Sequence, residues 1–238
     1  MRRRYMNTEL AFVTGASSGI GRAIALMLVR KGYHVTGIGR VFKDEQDPAE
    51  DGQFDRMVCD VRETGKLMNI LNKASSEYTP KILVNAAGVG YYGLHENMTP
   101  DRIKEMVDVN LTTPMILSSR FIKLMRENAG GYIFNISSVT ACKVNTHGAC
   151  YGATKAGLSS FGDSVFEEAR KHGVKIVNIM PDMTKTNLYR NSDLDVSDDV
   201  RAYLLPEDVA NAVGNVLDMR GDTVISELKI VPILRKFS

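Results

Sequence analysis

Short apolar runs rich in β-branched residues alternate along this chain with segments in which apolar residues recur every three or four positions. The first pattern is typical of buried strands and the second of amphipathic helices. The predicted strands are Glu9–Thr14, Tyr33–Gly39, Phe54–Cys59, Lys81–Ala86, Tyr132–Ser137, Val174–Met180 and Thr223–Val231. The predicted helices are Ser18–Lys31, Arg62–Tyr78, a long segment from Thr99 to about Asn128, Tyr151–His172 and Pro206–Leu217.

This alternation predicts an α/β fold, a doubly wound, Rossmann-like parallel sheet with helices on both faces. Right-handed crossovers would bring the carboxyl ends of the strands to one edge, where such sheets bind their ligands. The chain has 238 residues and no internal repeat, so we expect residues 1–238 to form a single domain.

Charge, cysteine content and hydropathy indicate which partners are not expected: nucleic acid, metal ions and membranes. The formal net charge is +2, and apart from Arg2, Arg3 and Arg4 the sequence has no basic stripe, so we expect no nucleic acid partner. Cys59, Cys142 and Cys150 are odd in number and lack C-x-x-C spacing, which argues against disulfides and a metal site and fits a reducing cytoplasm. No apolar run approaches the roughly 18 residues of a membrane span, so we expect no membrane partner.

A glycine-rich turn joins the first predicted strand to the first predicted helix. It reads Thr14-Gly15-Ala16-Ser17-Ser18-Gly19-Ile20-Gly21. Glycines let the backbone approach a phosphate closely, and a helix N-terminus offers free amides and the positive end of a dipole. The same glycines could also form a plain turn, but their position between a strand and a helix favours phosphate binding.

Tyr151 and Lys155 lie four positions apart in a predicted helix and therefore share one face. A fixed ammonium group favours the phenolate and lowers the pKa of a neighbouring tyrosine. The pair could then donate and accept a proton near neutral pH. An isolated match of this spacing is more often a surface pair, so its interpretation depends on the motifs upstream.

Those upstream motifs resemble the short-chain dehydrogenase/reductase family, in its NADP-preferring, single-domain type, over nearly the whole chain. The segment from Gly15 to Gly21 is similar to the family's cofactor turn, and Asn85-Ala86-Ala87-Gly88 is similar to its motif after strand 4. The positions of the family's catalytic tetrad are filled by Asn110, Ser138, Tyr151 and Lys155. Residues 1–238 would then form one dinucleotide-binding catalytic domain.

The resemblance implies hydride transfer between a nicotinamide and a carbonyl or alcohol carbon. Ser138 would hold the carbonyl oxygen, Tyr151 would protonate it, Lys155 would lower the pKa of Tyr151 and bind the ribose, and Asn110 would hold a water in the proton relay. No metal is implied. The implied cofactor-binding residues are Gly15, Ser17, Ser18, Gly19, Ile20, Gly21, Arg40, Asp60, Val61, Asn85, Ala86, Ala87, Gly88, Tyr151, Lys155, Pro181, Thr184 and Thr186.

The end of the second strand favours NADP(H) over NAD(H). A carboxylate there would bind the ribose hydroxyl of NAD, whereas this chain has Gly39 followed by Arg40, and a guanidinium suits a phosphate. Two features weigh against this choice. Ser18 fills the family's other basic position, and the loop after Arg40 is acidic. Its acidic residues are Asp44, Glu45, Asp47, Glu50 and Asp51.

Two acidic residues near the cofactor have two interpretations each. Asp60 would contact the adenine by resemblance, and it could also cap the helix predicted from Arg62. Asp182 replaces the glycine that usually follows Pro181 in the family. It could cap the Thr184–Thr186 turn, or it could face the site and favour the oxidised nicotinamide or a substrate amine.

The substrate is expected to be a small-molecule carbonyl or alcohol, either a small hydroxy acid or a general ketone or aldehyde. The predicted walls of its site are Val89–Tyr92, Val139–Cys150 and Thr184–Leu204. The candidate substrate contacts are Ser138, His147, Tyr151 and Tyr189.

Two other functional classes are alternatives, and the helices predict an oligomer. A catalytically silent NADP-binding regulator would share the fold, but such proteins usually lose the Tyr or the Lys. A sugar-nucleotide epimerase would need more chain after Met180. The two longest helices carry apolar residues beyond one stripe, which predicts a homodimer or homotetramer.

Overall fold

The computed structural model describes residues 8–43, 52–188 and 199–234, in which seven parallel strands form one sheet. The strand order is β3-β2-β1-β4-β5-β6-β7, so the winding reverses between β1 and β4. The strands are β1 (Glu9–Thr14), β2 (His34–Gly39), β3 (Phe54–Val58), β4 (Thr79–Asn85), β5 (Gly131–Ile136), β6 (Val174–Pro181) and β7 (Glu227–Ile230). The predicted doubly wound parallel sheet is confirmed.

Helices cover both faces of this sheet. They are α1 (Gly19–Arg30), α2 (Thr64–Glu77), α3 (Pro100–Val107), α4 (Thr113–Glu127), α5 (Ala149–Ala169) and α6 (Pro206–Leu217). Helices α1 and α6 pack on one face, whereas α2, α4 and α5 pack on the other. Within the described ranges, no helix combines the length and the apolar character that a membrane span requires.

Strand β1 is buried between the two helical layers. Successive side chains of a strand point to opposite faces, and Ala11 and Val13 accordingly pack with α1 and α6. Phe12 points to the other face and contacts Phe121 of α4, with 5.9 Å between the ring centroids. Burial on both faces therefore explains why the strand is a continuous apolar run in the sequence.

The long helix predicted from Thr99 is interrupted. Thr99 is its N-cap as expected and accepts from the backbone N–H of Arg102, but α3 ends at Val107 and a π-helical turn over Asp108–Thr112 leads into α4. Pro114 lies in the first turn of α4 and has no N–H to donate to the carbonyl of Asn110 four residues earlier. The wider turn therefore forms where the regular ladder cannot continue.

Several further element boundaries differ from the predicted ones by a few residues, and three of these differences have a visible cause. Helix α2 begins at Thr64 rather than Arg62, because Asp60 holds the preceding residues in a turn. Strand β7 is limited to four residues, Glu227–Ile230, which pair with the last four residues of β6. Strand β4 begins at Thr79, where it already pairs with Glu9 of β1.

Candidate active site

A cleft lies at the carboxyl edge of the sheet, where the winding reverses between β1 and β4. Most of the residues predicted to bind a cofactor or to act in catalysis line it together. They are Gly15, Ser17, Ser18, Gly19, Ile20, Gly21, Arg40, Asp60, Val61, Ala86, Ala87, Gly88, Ser138, Tyr151, Lys155, Pro181, Thr184 and Thr186. Loops distant in sequence thus converge on one site.

The glycine turn is held against the loop after β4. Gly15 has φ +71°, and a Cβ added to it would lie 2.8 Å from the carbonyl oxygen of Ala86, so only glycine fits. Thr14 joins the same two segments. Its hydroxyl donates to the carbonyl of Val84 and accepts from the N–H groups of Ala86 and Ala87, each at 3.1 Å. No sequence motif indicates this role of Thr14, which depends on the pairing of β1 with β4.

The N-terminus of α1 opens into the cleft and fits a phosphate group. Ser18 is the N-cap residue, yet its side chain makes no capping hydrogen bond. The first-turn amides, including those of Gly19 and Gly21, have no acceptor within the helix and lie at the positive end of its dipole. The turn can therefore hold the pyrophosphate of a dinucleotide through backbone N–H groups.

The end of β2 cannot accommodate a carboxylate. A Cβ added to Gly39 would lie 2.6 Å from the Cβ of Ser17, so a longer side chain would force the glycine turn away. Arg40 follows on the cleft wall and forms no ion pair or hydrogen bond with another described residue. The acidic residues predicted to oppose it lie outside the described residues. They are Asp44, Glu45, Asp47, Glu50 and Asp51.

Asp60 forms hydrogen bonds with Arg62. The Asp60 carboxylate accepts from the backbone N–H of Arg62 at 2.9 Å and from the Arg62 guanidinium at 3.0 and 2.7 Å. These hydrogen bonds lower the pKa of Asp60 against the opposing effect of burial, and the charge of Arg40 also lowers it. Asp60 therefore closes the turn that precedes α2 and does not cap the helix, whose N-cap residue is Glu63.

Arg62 and Glu105 also line the cleft, and the sequence analysis missed both. The guanidinium of Arg62 lies 3.6 Å from the carboxylate of Glu105, and the hydroxyl of Tyr91 donates to the same carboxylate at 2.6 Å. Glu105 lies in α3, so its link to Arg62 depends on how α3 packs beside the turn after β3. No local motif could have indicated it.

Tyr151 and Lys155 lie one turn apart on the buried face of α5. The Lys155 ammonium is 5.6 Å from the centroid of the Tyr151 ring and donates to the carbonyl of Ile136 at 2.8 Å. Burial disfavours the charged form and lowers the pKa of Lys155 to about 8. At neutral pH the side chain is still mainly protonated, so it places positive charge beside the phenol.

Ser138 follows β5 and lies in the same cleft wall. Its hydroxyl oxygen accepts from the backbone N–H of Thr140 at 3.2 Å, which leaves the hydroxyl hydrogen to be donated. The ring of Tyr92 packs against that of Tyr151, with 5.7 Å between centroids. Ser138, Tyr151 and Lys155 therefore supply a hydrogen-bond donor, a phenol and a cation at one place.

Asn110 lies in the π-helical turn and is fully buried. Its amide accepts from the N–H of Val89 and donates to the carbonyl of Val89, both at 2.9 Å, and it donates to the hydroxyl of Thr154 at 3.1 Å. It is not among the residues that line the cleft. Its action in this structure is to fix the loop after β4, and the implied water relay stays a prediction.

Three other predicted residues lie away from the cleft wall or outside the described chain. Asn85 is buried in the sheet, where its amide donates to Asn135 at 2.9 Å and to Ser118 at 3.4 Å. His147 is exposed and has φ +63°. Tyr189 lies outside the described residues. Asn85 thus acts indirectly, by holding the strand that leads into Ala86.

Within the described chain, no group of three or more His, Cys, Asp or Glu side chains is arranged to hold a metal ion. The three cysteines are free thiols: Cys59 is buried, Cys150 is partly buried and Cys142 is exposed. Burial raises the pKa of Cys59 and of Cys150, which favours the neutral thiol over the reactive thiolate.

Comparisons with known proteins agree with this geometry. The family model described as short chain dehydrogenase matches residues 9–197. A 3-oxoacyl-[acyl-carrier-protein] reductase FabG of Rickettsia conorii is 32% identical over 221 residues, which cover 86% of this chain and 87% of the relative.

Two solved structures are similar over almost their full length. A metagenomic short-chain oxidoreductase in complex with NADP is 28% identical, with 96% of this chain and 99% of that chain covered and a TM-score of 0.78. A 4-hydroxyisoleucine dehydrogenase complexed with NADH and succinate is 25% identical, with 93% and 97% covered and a TM-score of 0.80.

Proposed function

The chain belongs to the short-chain dehydrogenase family, and we propose that it is an NADP(H)-dependent oxidoreductase acting on a carbonyl or secondary alcohol. The substrate would be a small hydroxy acid or a general ketone or aldehyde. The observation that carries the proposal is the convergence of Ser138, Tyr151 and Lys155 on the cleft that begins at the glycine turn.

The residues of the cleft divide the chemistry between them. In the reducing direction, the Ser138 hydroxyl would donate to the substrate carbonyl oxygen, and the Tyr151 hydroxyl would give that oxygen a proton. The Lys155 ammonium would stabilise the resulting phenolate. A bound nicotinamide would supply or accept the hydride. The glycine turn and the α1 N-terminus would hold the dinucleotide so that these groups meet in a fixed geometry.

The preference for NADP(H) rests on Arg40 and Gly39. Arg40 lies on the cleft wall, where its guanidinium could contact a ribose 2′-phosphate. Gly39 leaves no room for the carboxylate that would select NAD. One similar structure contains NADP and another contains NADH. The preference therefore depends on residues of this chain.

A nucleotide-consumption screen tests the proposal. The protein is mixed with NADPH or NADH and a panel of ketones, aldehydes, diketones and keto acids, and nucleotide absorbance is followed. We expect carbonyl-dependent consumption that is faster with NADPH at equal concentration. Tight NADPH binding with no turnover of any compound would instead favour a silent NADP-binding regulator.

A further inference from the structure

Asp182 brings a carboxylate to the substrate end of the cleft. It directly follows β6 and lines the same cleft as Ser138 and Tyr151. One carboxylate oxygen accepts from the backbone N–H of Met183 at 2.9 Å, which fixes the side chain. The side chain is 23% exposed, so its charge is partly shielded from water. The hydroxyl of Thr184 bonds to the Asp182 carbonyl rather than to its carboxylate, so the predicted capping of the 184–186 turn is not observed.

Lys143 faces the second carboxylate oxygen of Asp182. Its Nζ lies 3.8 Å from Oδ2, which is beyond hydrogen-bond distance. The Lys143 side chain is 45% exposed, and it forms no hydrogen bond with another described residue. An exposed pair at this separation stabilises the fold little. Both groups therefore keep most of their capacity to bind a ligand.

The segment that carries Lys143 is anchored on both sides, so its backbone holds a defined position near Asp182. Ser138 caps the short helical turn before it, and the Cys142 sulfur lies 3.9 Å from that of Met180 in β6. After it, the carbonyl of His147 accepts from the N–H of Gly93 at 2.7 Å. Lys143 thus faces a carboxylate that lines the cleft together with Ser138, although Lys143 itself is not on the cleft wall.

We propose that Asp182 and Lys143 select a zwitterionic substrate, a hydroxy α-amino acid in the oxidative direction or its carbonyl counterpart in the reductive one. The inference rests on the proposed function and names its substrate class. Asp182 would bind the α-ammonium group and Lys143 the α-carboxylate. The substrate hydroxyl would lie against Ser138 and Tyr151.

The oxidation balances with the proposed cofactor alone. The C–H bond at the hydroxyl carbon breaks and its hydride passes to NADP⁺, while the O–H proton passes to Tyr151 and the C=O bond forms. An anionic substrate without an amine would bring its carboxylate near the negative charge of Asp182, with no ammonium group to offset the repulsion. Coulomb repulsion would then disfavour the deaminated analogue.

Matched substrate pairs test this assignment. Serine is compared with 3-hydroxypropanoate and threonine with 3-hydroxybutanoate, each as separate enantiomers, with NADP⁺ as oxidant. For the wild-type protein we expect kcat/KM at least tenfold higher for the amino member of a pair. Asp182→Asn keeps the shape and removes the charge. It should abolish that preference by lowering kcat/KM for the amino member and, because the repulsion is also removed, by raising kcat/KM for the deaminated member.

Two further variants separate the roles. Lys143→Met should lower kcat/KM for both members of a pair, since both carry the carboxylate. Asp222→Asn removes an exposed carboxylate that is not on the cleft wall, and it should change neither value. A wild-type protein without preference for the amino member, or an Asp182→Asn variant that keeps the preference, would overturn the inference. The inference would also be overturned if Asp182→Asn changed only the ratio of the NADP⁺ and NADPH dissociation constants, since Asp182 would then act on the nicotinamide and not on the substrate.

A second measurement does not require turnover: the same compounds are titrated by calorimetry into the protein with NADP⁺ bound. Tighter binding of serine than of 3-hydroxypropanoate, lost in Asp182→Asn, would support the inference even if no compound is oxidised, and the proposed function alone would then fail. Turnover of neutral ketones combined with equal, weak binding of both members would leave the proposed function intact and refute the inference.

Discussion

The ammonium group of Lys155 donates to the backbone carbonyl of Ile136 at 2.8 Å, which fixes α5 to the end of β5. Strand β5 leads directly into Ser138, so this hydrogen bond sets the position of the α5 pair relative to the serine. Its donor is a buried charge, 4% exposed as a residue, and its burial disfavours protonation. The hydrogen bond thus positions the site, while the burial of its charged donor opposes folding.

The stability cost of Lys155 should depend on pH. Its pKa is about 8 in the folded protein, below the ordinary value of 10.5, so the unfolded chain binds more protons between these values. The free energy of unfolding contributed by this group therefore rises with pH across that window. Comparing wild-type and Lys155→Met by urea denaturation at several pH values, we expect the difference to shift in favour of wild-type as pH rises. Parallel curves would contradict the assigned burial effect.

Asn110 should contribute to stability through Val89. Asn110→Ala would leave the N–H and C=O groups of Val89 without the side chain that satisfies both. An unsatisfied buried group costs about 1–3 kcal/mol, so the free energy of unfolding should fall by at least that amount. Asn110→Asp keeps an acceptor for the Val89 N–H but buries a carboxylate beside the Val89 carbonyl, so it should lose at least as much. Equal, small losses in both variants would show that the loop after β4 is held by other contacts.

Arg40 should determine the choice of nucleotide. Arg40→Ala removes a charge-assisted contact that only NADPH can make, and such a contact is worth about 1.5–3 kcal/mol, or roughly a tenfold to hundredfold change in dissociation constant. Titration calorimetry should show this weakening for NADPH and little change for NADH. Arg30→Ala, an exposed arginine at the far end of α1, is the control. A uniform loss for both nucleotides would remove the basis for NADP selection.

The faces of α4 and α5 should mediate self-association. Several of their apolar side chains are only partly buried in one copy of the chain. These are Met115, Ile116, Ile122, Leu124, Phe161, Val165 and Phe166. Leu158 was also predicted to face outward, but it is 1% exposed and belongs to the core. Light scattering at micromolar concentration should give the mass of a dimer or tetramer, and a monomer would contradict this prediction.

The fold was predictable because its signals are local. Strands buried on both faces require continuous apolar runs, and helices on a sheet require one apolar stripe, so the periodicity gave element type and order. The glycine turn and the Tyr151–Lys155 spacing are equally local. Element ends were less certain, because the extent of β7 depends on its pairing with β6, a neighbour in space.

Contacts between distant segments could not be predicted from the sequence. Arg62 meets Glu105 only because α3 packs beside the turn after β3. The side chain of Asn110 bonds to the backbone of Val89, because the π-helical turn packs beside the loop after β4. Both contacts depend on packing and register, which no motif within one element encodes.

The most direct test of the account is the Tyr151→Phe variant, assayed for turnover on the best substrate from the carbonyl screen. The ring and its packing against Tyr92 are kept, and only the proposed proton donor is removed. We expect turnover to fall about a hundredfold or more while the NADPH dissociation constant hardly changes. Tyr132→Phe, which removes a phenol from the opposite side of the sheet, should leave turnover intact. Near-normal turnover in Tyr151→Phe would contradict the proposed catalytic role of the cleft.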